Sequence, residues 1–190
     1  MNFVIFLMSF LLSIVLASFI EWAVHKHCMH NRAMKEPYRR HTVEHHEFRK
    51  APGKFFVKED DPQKYDLIET SFMPKLWLLH TPFFYLVYRL CGMWACLGVA
   101  GACACYVLAY EVLHWSIHYP DKFPLKHHKV FLFLTQHHRI HHRYYKVNFN
   151  VVFPLADWWF GTLSYREVPP EPEQLEKQSA ATAFPAVAIL

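Results

Sequence analysis

The chain has 190 residues, of which 53 % are hydrophobic and five are glycine, and a formal charge of +4 with its fifteen histidines neutral. That is the size of one modest domain, and it is too apolar for a disordered chain. The small positive charge, with no base-reading motif, excludes nucleic acid as a partner and suits a surface resting against anionic lipid headgroups.

The first apolar stretch, Phe3 to Ile20, approaches the roughly 20 residues a membrane helix needs and predicts a span over about 3–24. No positive flank precedes it and it runs directly into Glu21, Trp22 and His25, so it reads as a retained span rather than a signal peptide. Next come "HKHCMH" at 25–30 and "HTVEHH" at 41–46, in a region from Lys26 to Lys64 with ten Lys and Arg. Two more apolar stretches, 72–90 and 92–113, are separated by a turn at Arg89 to Met93 and predict a helical hairpin that Pro74 and Pro82 start or kink. "HWSIH" at 114–118 and "HHRIHH" at 137–142 follow, with six more Lys and Arg from Lys122 to Lys146. From about Val168 the composition turns polar, and 168–190 reads as a mobile tail behind a single domain of 1–167.

The basic segments on either side of the hairpin point to the cytoplasm, with the N-terminus outside, so every histidine cluster converges on the cytoplasmic surface. The expected fold is all-α: an integral, multi-pass membrane bundle of about three to four transmembrane helices under a cytoplasmic histidine-rich cap. Cys28, Cys91, Cys96, Cys103 and Cys105 are too few and too irregularly spaced for a disulfide framework or a Cys-x-x-Cys metal site, and read as small packing residues.

Histidines three and four apart share one face of an α-helix, which groups His114 with His118, His41 with His45, and His138 with His141 and His142. Each pair could grip a metal ion. Imidazole suits iron, zinc, copper or nickel, whereas calcium and magnesium want oxygen donors that these clusters lack. His25 and His30 are five apart, about 140° around an ideal α-helix: if the helix ends there, loop geometry can still aim both, and otherwise His27 with His30 fits one face better. His80, His127 and His128 read as ordinary polar residues. A structural zinc needs four ligands and a catalytic one three plus water, so the clusters exceed one ion's needs and imply two, held by neutral imidazoles beside a membrane. Open positions on such ions suit activation of dioxygen or water against a lipid.

The ordered boxes H-x(3,4)-H, H-x(2,3)-H-H, H-x(3)-H and H-x(2)-H-H resemble those of the fatty acid hydroxylase and sterol desaturase superfamily, from about Glu21 to Thr162, with "NFNVVFPLADWWFGT" at 148–162 similar to its closing stretch. The resemblance implies that His25, His30, His41, His45, His46, His114, His118, His138, His141 and His142 bind two iron ions, with zinc possible in a purified form. It also implies an enzyme that uses O2 to hydroxylate an unactivated C–H of a fatty acyl, sphingolipid or sterol lipid. "HKHCMH", "HHEFRK" and "HHRIHH" also resemble the related beta-carotene hydroxylases, so a carotenoid ring hydroxylase or a lipid desaturase is the alternative.

No haem-attachment, dinucleotide-binding or iron–sulfur pattern occurs, so electrons would come from a separate redox carrier such as a cytochrome b5 or a ferredoxin with its reductase. Arg39, Arg40, Arg49 and Lys50 are candidates to dock an acidic carrier or to attract the membrane surface. Glu44, Glu111 and Asp157 are candidates to orient a ligand, and Trp158, Trp159 and Phe160 to anchor the cap at headgroup level. A membrane metal-binding or transport protein is the non-enzymatic rival. It would place ligands inside its helices, where only His80 lies within an apolar stretch.

Overall fold

A computed structural model of the chain describes residues 1–51, 53–58 and 73–169, and every regular element among them is helical. Helix α1 (Asn2–Val24) runs straight into a π-helical turn, His25–Met29. After a 3-10 turn at Arg32–Met34, α2 (Glu36–Tyr38), a π-helical run (Arg39–His46) and α3 (Glu47–Arg49) form one continuous helical segment. Then come α4 (Met73–Cys91), α5 (Met93–His118), a 3-10 turn at Pro120–Lys122, α6 (Lys129–Arg143) and α7 (Leu155–Trp159).

Two of these are long and apolar enough to cross a membrane, Asn2–Met29 and Met93–His118. A core helix of a water-soluble protein would bury such residues, yet only 6 % and 17 % of their most apolar windows are buried. Phe3, Met8, Leu12, Leu16 and Ile20 on α1, and Leu97, Leu108 and Val112 on α5, face outward. At 1.5 Å per residue α1 alone covers about 34 Å, against about 30 Å of bilayer hydrocarbon. The third expected span, α4, forms a 19-residue helix containing Pro82, but it is interrupted by polar residues and does not match the other two in apolar length.

The helices meet where side chains are small. A Cβ added at Gly98 of α5 would run into Ser9 Oγ and the Phe6 carbonyl of α1, so only glycine permits this approach. The hairpin turns at Gly92, whose φ of +85° is the left-handed conformation that glycine adopts without strain. α5 does not end at Leu113, where the apolar run stops, but continues unbroken to His118, so His114 and His118 ride on the last turns of an apolar helix.

A polar-cored cap closes that end. α6 buries Phe131 and Leu134 on one face, and from His137 to His142 it is buried on every side. Phe131 and Leu134 pack with Phe55, Ile117 and Val151. Val57 N–H donates to the His118 carbonyl at 2.7 Å, tying the segment after α3 to the end of α5. α7 leans on α1: Phe160 stacks on Trp22 with centroids 4.3 Å apart, and Trp22 Nε1 donates to Thr162 Oγ1 at 2.9 Å. The tail expected at 168–190 lies almost wholly outside the described residues.

Candidate metal centre

The five-residue spacing of His25 and His30 is resolved by backbone rather than by a loop. His30 N–H donates to the His25 carbonyl at 3.2 Å, a π-helical i to i+5 bond, so residues five apart become neighbours on one side. The two rings stack, with centroids 5.0 Å apart and planes at 20°. Arg39–His46 repeats the device, with Glu47 N–H donating to the Thr42 carbonyl, and brings His41 and His46 to 4.6 Å. The α-helical pairings of His27 with His30 and of His41 with His45 are therefore wrong. His27 is exposed and lies edge-on to Trp22.

All ten box histidines gather into two groups of five, His25, His30, His41, His46 and His141 in the first, and His45, His114, His118, His138 and His142 in the second. Within each group the candidate ligand nitrogens lie within 4.8 Å of one another. Neighbours in sequence divide between the groups, because consecutive helical residues point to different sides: His45 from His46, and His141 from His142. His138 therefore works with His142 and not with His141. The His46 and His142 rings stack at 4.0 Å where the groups meet.

The hydrogen bonds at Nδ1 set the tautomers. His25 Nδ1 faces the Phe149 carbonyl, His118 Nδ1 the Phe55 carbonyl at 2.8 Å, and His141 Nδ1 the Val147 carbonyl at 2.7 Å. A carbonyl only accepts, so each Nδ1 carries the proton and each Nε2 presents a lone pair. His30 follows by one further step: the Thr42 hydroxyl donates to the Met29 carbonyl at 2.7 Å, which leaves its oxygen to accept from His30 Nδ1 at 3.1 Å. His30 Nε2 and His141 Nε2 are thus both acceptors, 3.0 Å apart. Two lone pairs that close repel unless a cation lies between them.

A proton fits that place poorly. Burial holds His30 down to about 4, and burial, then the neighbouring imidazoles, hold His41, His46, His138 and His142 well below the usual histidine value. His45 and His141 are lowered for the same first reason. Neutral imidazoles converging by their Nε2 atoms are a metal-binding donor set. Seven of the Nε2 pairs within the groups are only 2.7 to 3.2 Å apart.

The orienting partners are mostly backbone carbonyls, which sequence does not advertise, and Thr42. Asp157 is buried and binds not a box histidine but His137 Nε2 at 3.2 Å, with Phe149 N–H, Asn150 N–H and Thr162 Oγ1 as its other donors. Burial disfavours its charge, but the bonds from His137, Thr162, Asn150 and Phe149 outweigh that and hold its carboxyl below the usual range. Glu44 is drawn to Arg39 at the surface, and Glu111 belongs to neither histidine group. Arg49 is only 2 % exposed, with Nη1 bonded to the Lys54 carbonyl at 3.2 Å, so it drops out of any docking surface. His80, His127 and His128 lie outside both groups, and His128 caps α6 by accepting from Val130 N–H.

No curated protein and no solved structure matches the chain. A family model described as Fatty acid hydroxylase matches residues 10–162, most of the chain. The protein therefore belongs to the fatty acid hydroxylase family, whose members are membrane-associated oxidoreductases of the histidine-box di-iron type.

Proposed function

We propose that the protein is an O2-dependent lipid hydroxylase that holds one metal ion in each histidine group, iron in the working enzyme. The observation that carries this is the pair of inward-facing Nε2 sets, four of them with tautomers set by Nδ1 partners, at the ends of two outward-apolar helices. Bound iron would supply the power to replace an unactivated C–H with C–OH, one oxygen atom of O2 entering the lipid and the other leaving as water, with electrons from an outside donor.

The chain's own part is positional. The ten box histidines hold the metals, the carbonyls of Phe55, Val147 and Phe149 keep His118, His141 and His25 in the donor tautomer, and the apolar faces of α1 and α5 offer a lipid chain a path along the bilayer. The substrate is a fatty acyl, sphingolipid or sterol lipid. The N-terminus faces outside and the metal centre the cytoplasm. A separate acidic carrier of the cytochrome b5 or ferredoxin kind, with its reductase, docks on the exposed Lys50, Arg143 and Lys146.

Membranes holding the protein, given labelled dioxygen and a reductase system, are expected to form a hydroxy lipid carrying one labelled oxygen, with almost none from His142→Ala. Label arriving from water would replace hydroxylation by hydration or hydrolysis. A desaturated product without added oxygen would keep the centre and change the reaction.

A further inference from the structure

Glu21 lies one helical turn before His25 on the same face of α1, inside the apolar helix. Its carboxyl group is buried in donors: Oε1 accepts from Val151 N–H at 2.6 Å and Val152 N–H at 3.4 Å, and Oε2 from Tyr106 Oη at 2.6 Å and Asn150 Nδ2 at 3.0 Å. Asp157 takes the two preceding backbone donors, Phe149 N–H at 2.9 Å and Asn150 N–H at 2.7 Å. Four consecutive amides, 149 to 152, are thus bound by two carboxyl groups. Asn150 joins the pair, receiving Asp157 N–H at 3.1 Å and donating to the Ser18 carbonyl at 2.8 Å. With its N–H groups turned to the carboxyls, the segment leaves the Phe149 carbonyl facing His25 Nδ1.

The consequence is unequal for the two histidine groups. In the first, His25, His30 and His141 have Nδ1 partners, two of which, Phe149 and Val147, lie on or beside the clamped segment, and Nδ1 of His46 is buried without one. In the second, among the described residues, His118 alone has such a partner, the Phe55 carbonyl from a different part of the chain, while Nδ1 of His138 and of His142 is buried without one. Partners of this kind raise a ligand's basicity and fix its ring before the metal arrives.

Resting on the two-metal reading above, we propose that Glu21 is a positioning residue for the first histidine group: with Asp157 it pre-sets the Phe149–Val152 backbone, so that this group binds its metal more tightly than the second. Neither carboxyl need touch a metal. A glutamine at 21 offers one carbonyl where two oxygens accept, so its amide group must face either the backbone donors or Asn150, and one side of the clamp opens.

The test uses the purified full chain in detergent, stripped by chelator and titrated with zinc ion alone, read by calorimetry and by metal content after desalting. The wild type is expected to take up zinc in two steps, with His25→Ala removing the tighter and His118→Ala the weaker. Glu21→Gln should weaken the tighter step by about 10- to 100-fold and leave the weaker one in place. Tyr106→Phe, which deletes one bond to Glu21, should weaken the same step by a smaller factor. Two equal steps, removal of the weaker step by His25→Ala, both steps moving together in Glu21→Gln, or a tighter step unmoved in both milder variants would each overturn the proposal. If Glu21→Gln does not fold, the order of the steps in the two histidine variants and the response of Tyr106→Phe still decide it. A wild type that takes up no zinc defeats the two-metal reading itself and the inference with it.

Discussion

His30 shows how much one residue's surroundings decide. Its imidazole has an ordinary value of 6.5 and is lowered to about 4 in the fold by burial. Between those values the unfolded chain binds more protons than the folded one, so stability rises with pH there. The metal-free protein should therefore have its full stability above about pH 6.5, lose it as pH falls toward about 4, and level off for this group below that; one such shift is worth roughly 3 kcal/mol. Thermal midpoints of chelated protein across that range would check it, and a flat profile would mean that His30 is already in contact with water. The box histidines lowered in the same direction should deepen the fall. Single replacements separate ligands from bystanders: His141→Ala should lose a large part of the bound metal, and His127→Ala, outside both groups, should lose none, as elemental analysis would show. Equal metal in the two variants would remove His141 from the site.

At the scale of elements, two features tie helix geometry to the site. Gly98 sets how closely α5 approaches α1, and Gly98→Ala should cost about 1–3 kcal/mol, because the new methyl meets the Phe6 carbonyl and cannot displace it cheaply. Gly101→Ala is the contrast: its Cβ would sit at ordinary contact, 3.7 Å from the Phe10 ring, and the thermal midpoint should barely move. The π-helical run is the second feature. Val43 is exposed, and deleting it should let Arg39–His46 close as an α-helix in which His41 and His46, now four apart, still share one face. Retention of the first-group metal with retained helicity, by metal analysis and circular dichroism, is the expected result. Loss of that metal would mean that the π-helical geometry itself is needed.

For the whole molecule, the same histidine centre must sit at one end of α1 and α5, since His25 and His118 close those two helices. With the centre at the cytoplasmic face, the turn at Gly92 lies at the other end of α5 and faces outward. In a variant lacking the native cysteines, an impermeant thiol reagent added to intact cells should label Gly92→Cys and reach Gly53→Cys only after the membrane is opened. The reverse pattern would invert the protein.

Much of this was legible in the residues themselves. Apolar runs marked α1 and α5, Arg89 to Met93 marked the turn at Gly92, and the boxes marked the ten histidines that come together, because chain hydrophobicity and ligand chemistry are local properties of a sequence. What only the tertiary structure decided was which histidine stands with which. Helical spacing paired His41 with His45 and His138 with His141, but π-helical turns and the meeting of α1, α5 and α6 split those pairs between two groups. The orienting partners were equally hidden: Phe55, Val147 and Phe149 act through backbone carbonyls, which every residue has, and Glu21 meets Val151 across 130 residues of chain. Sequence records which groups a protein possesses. Which lone pair faces which depends on distances between segments far apart in the chain, and those exist only once it has folded.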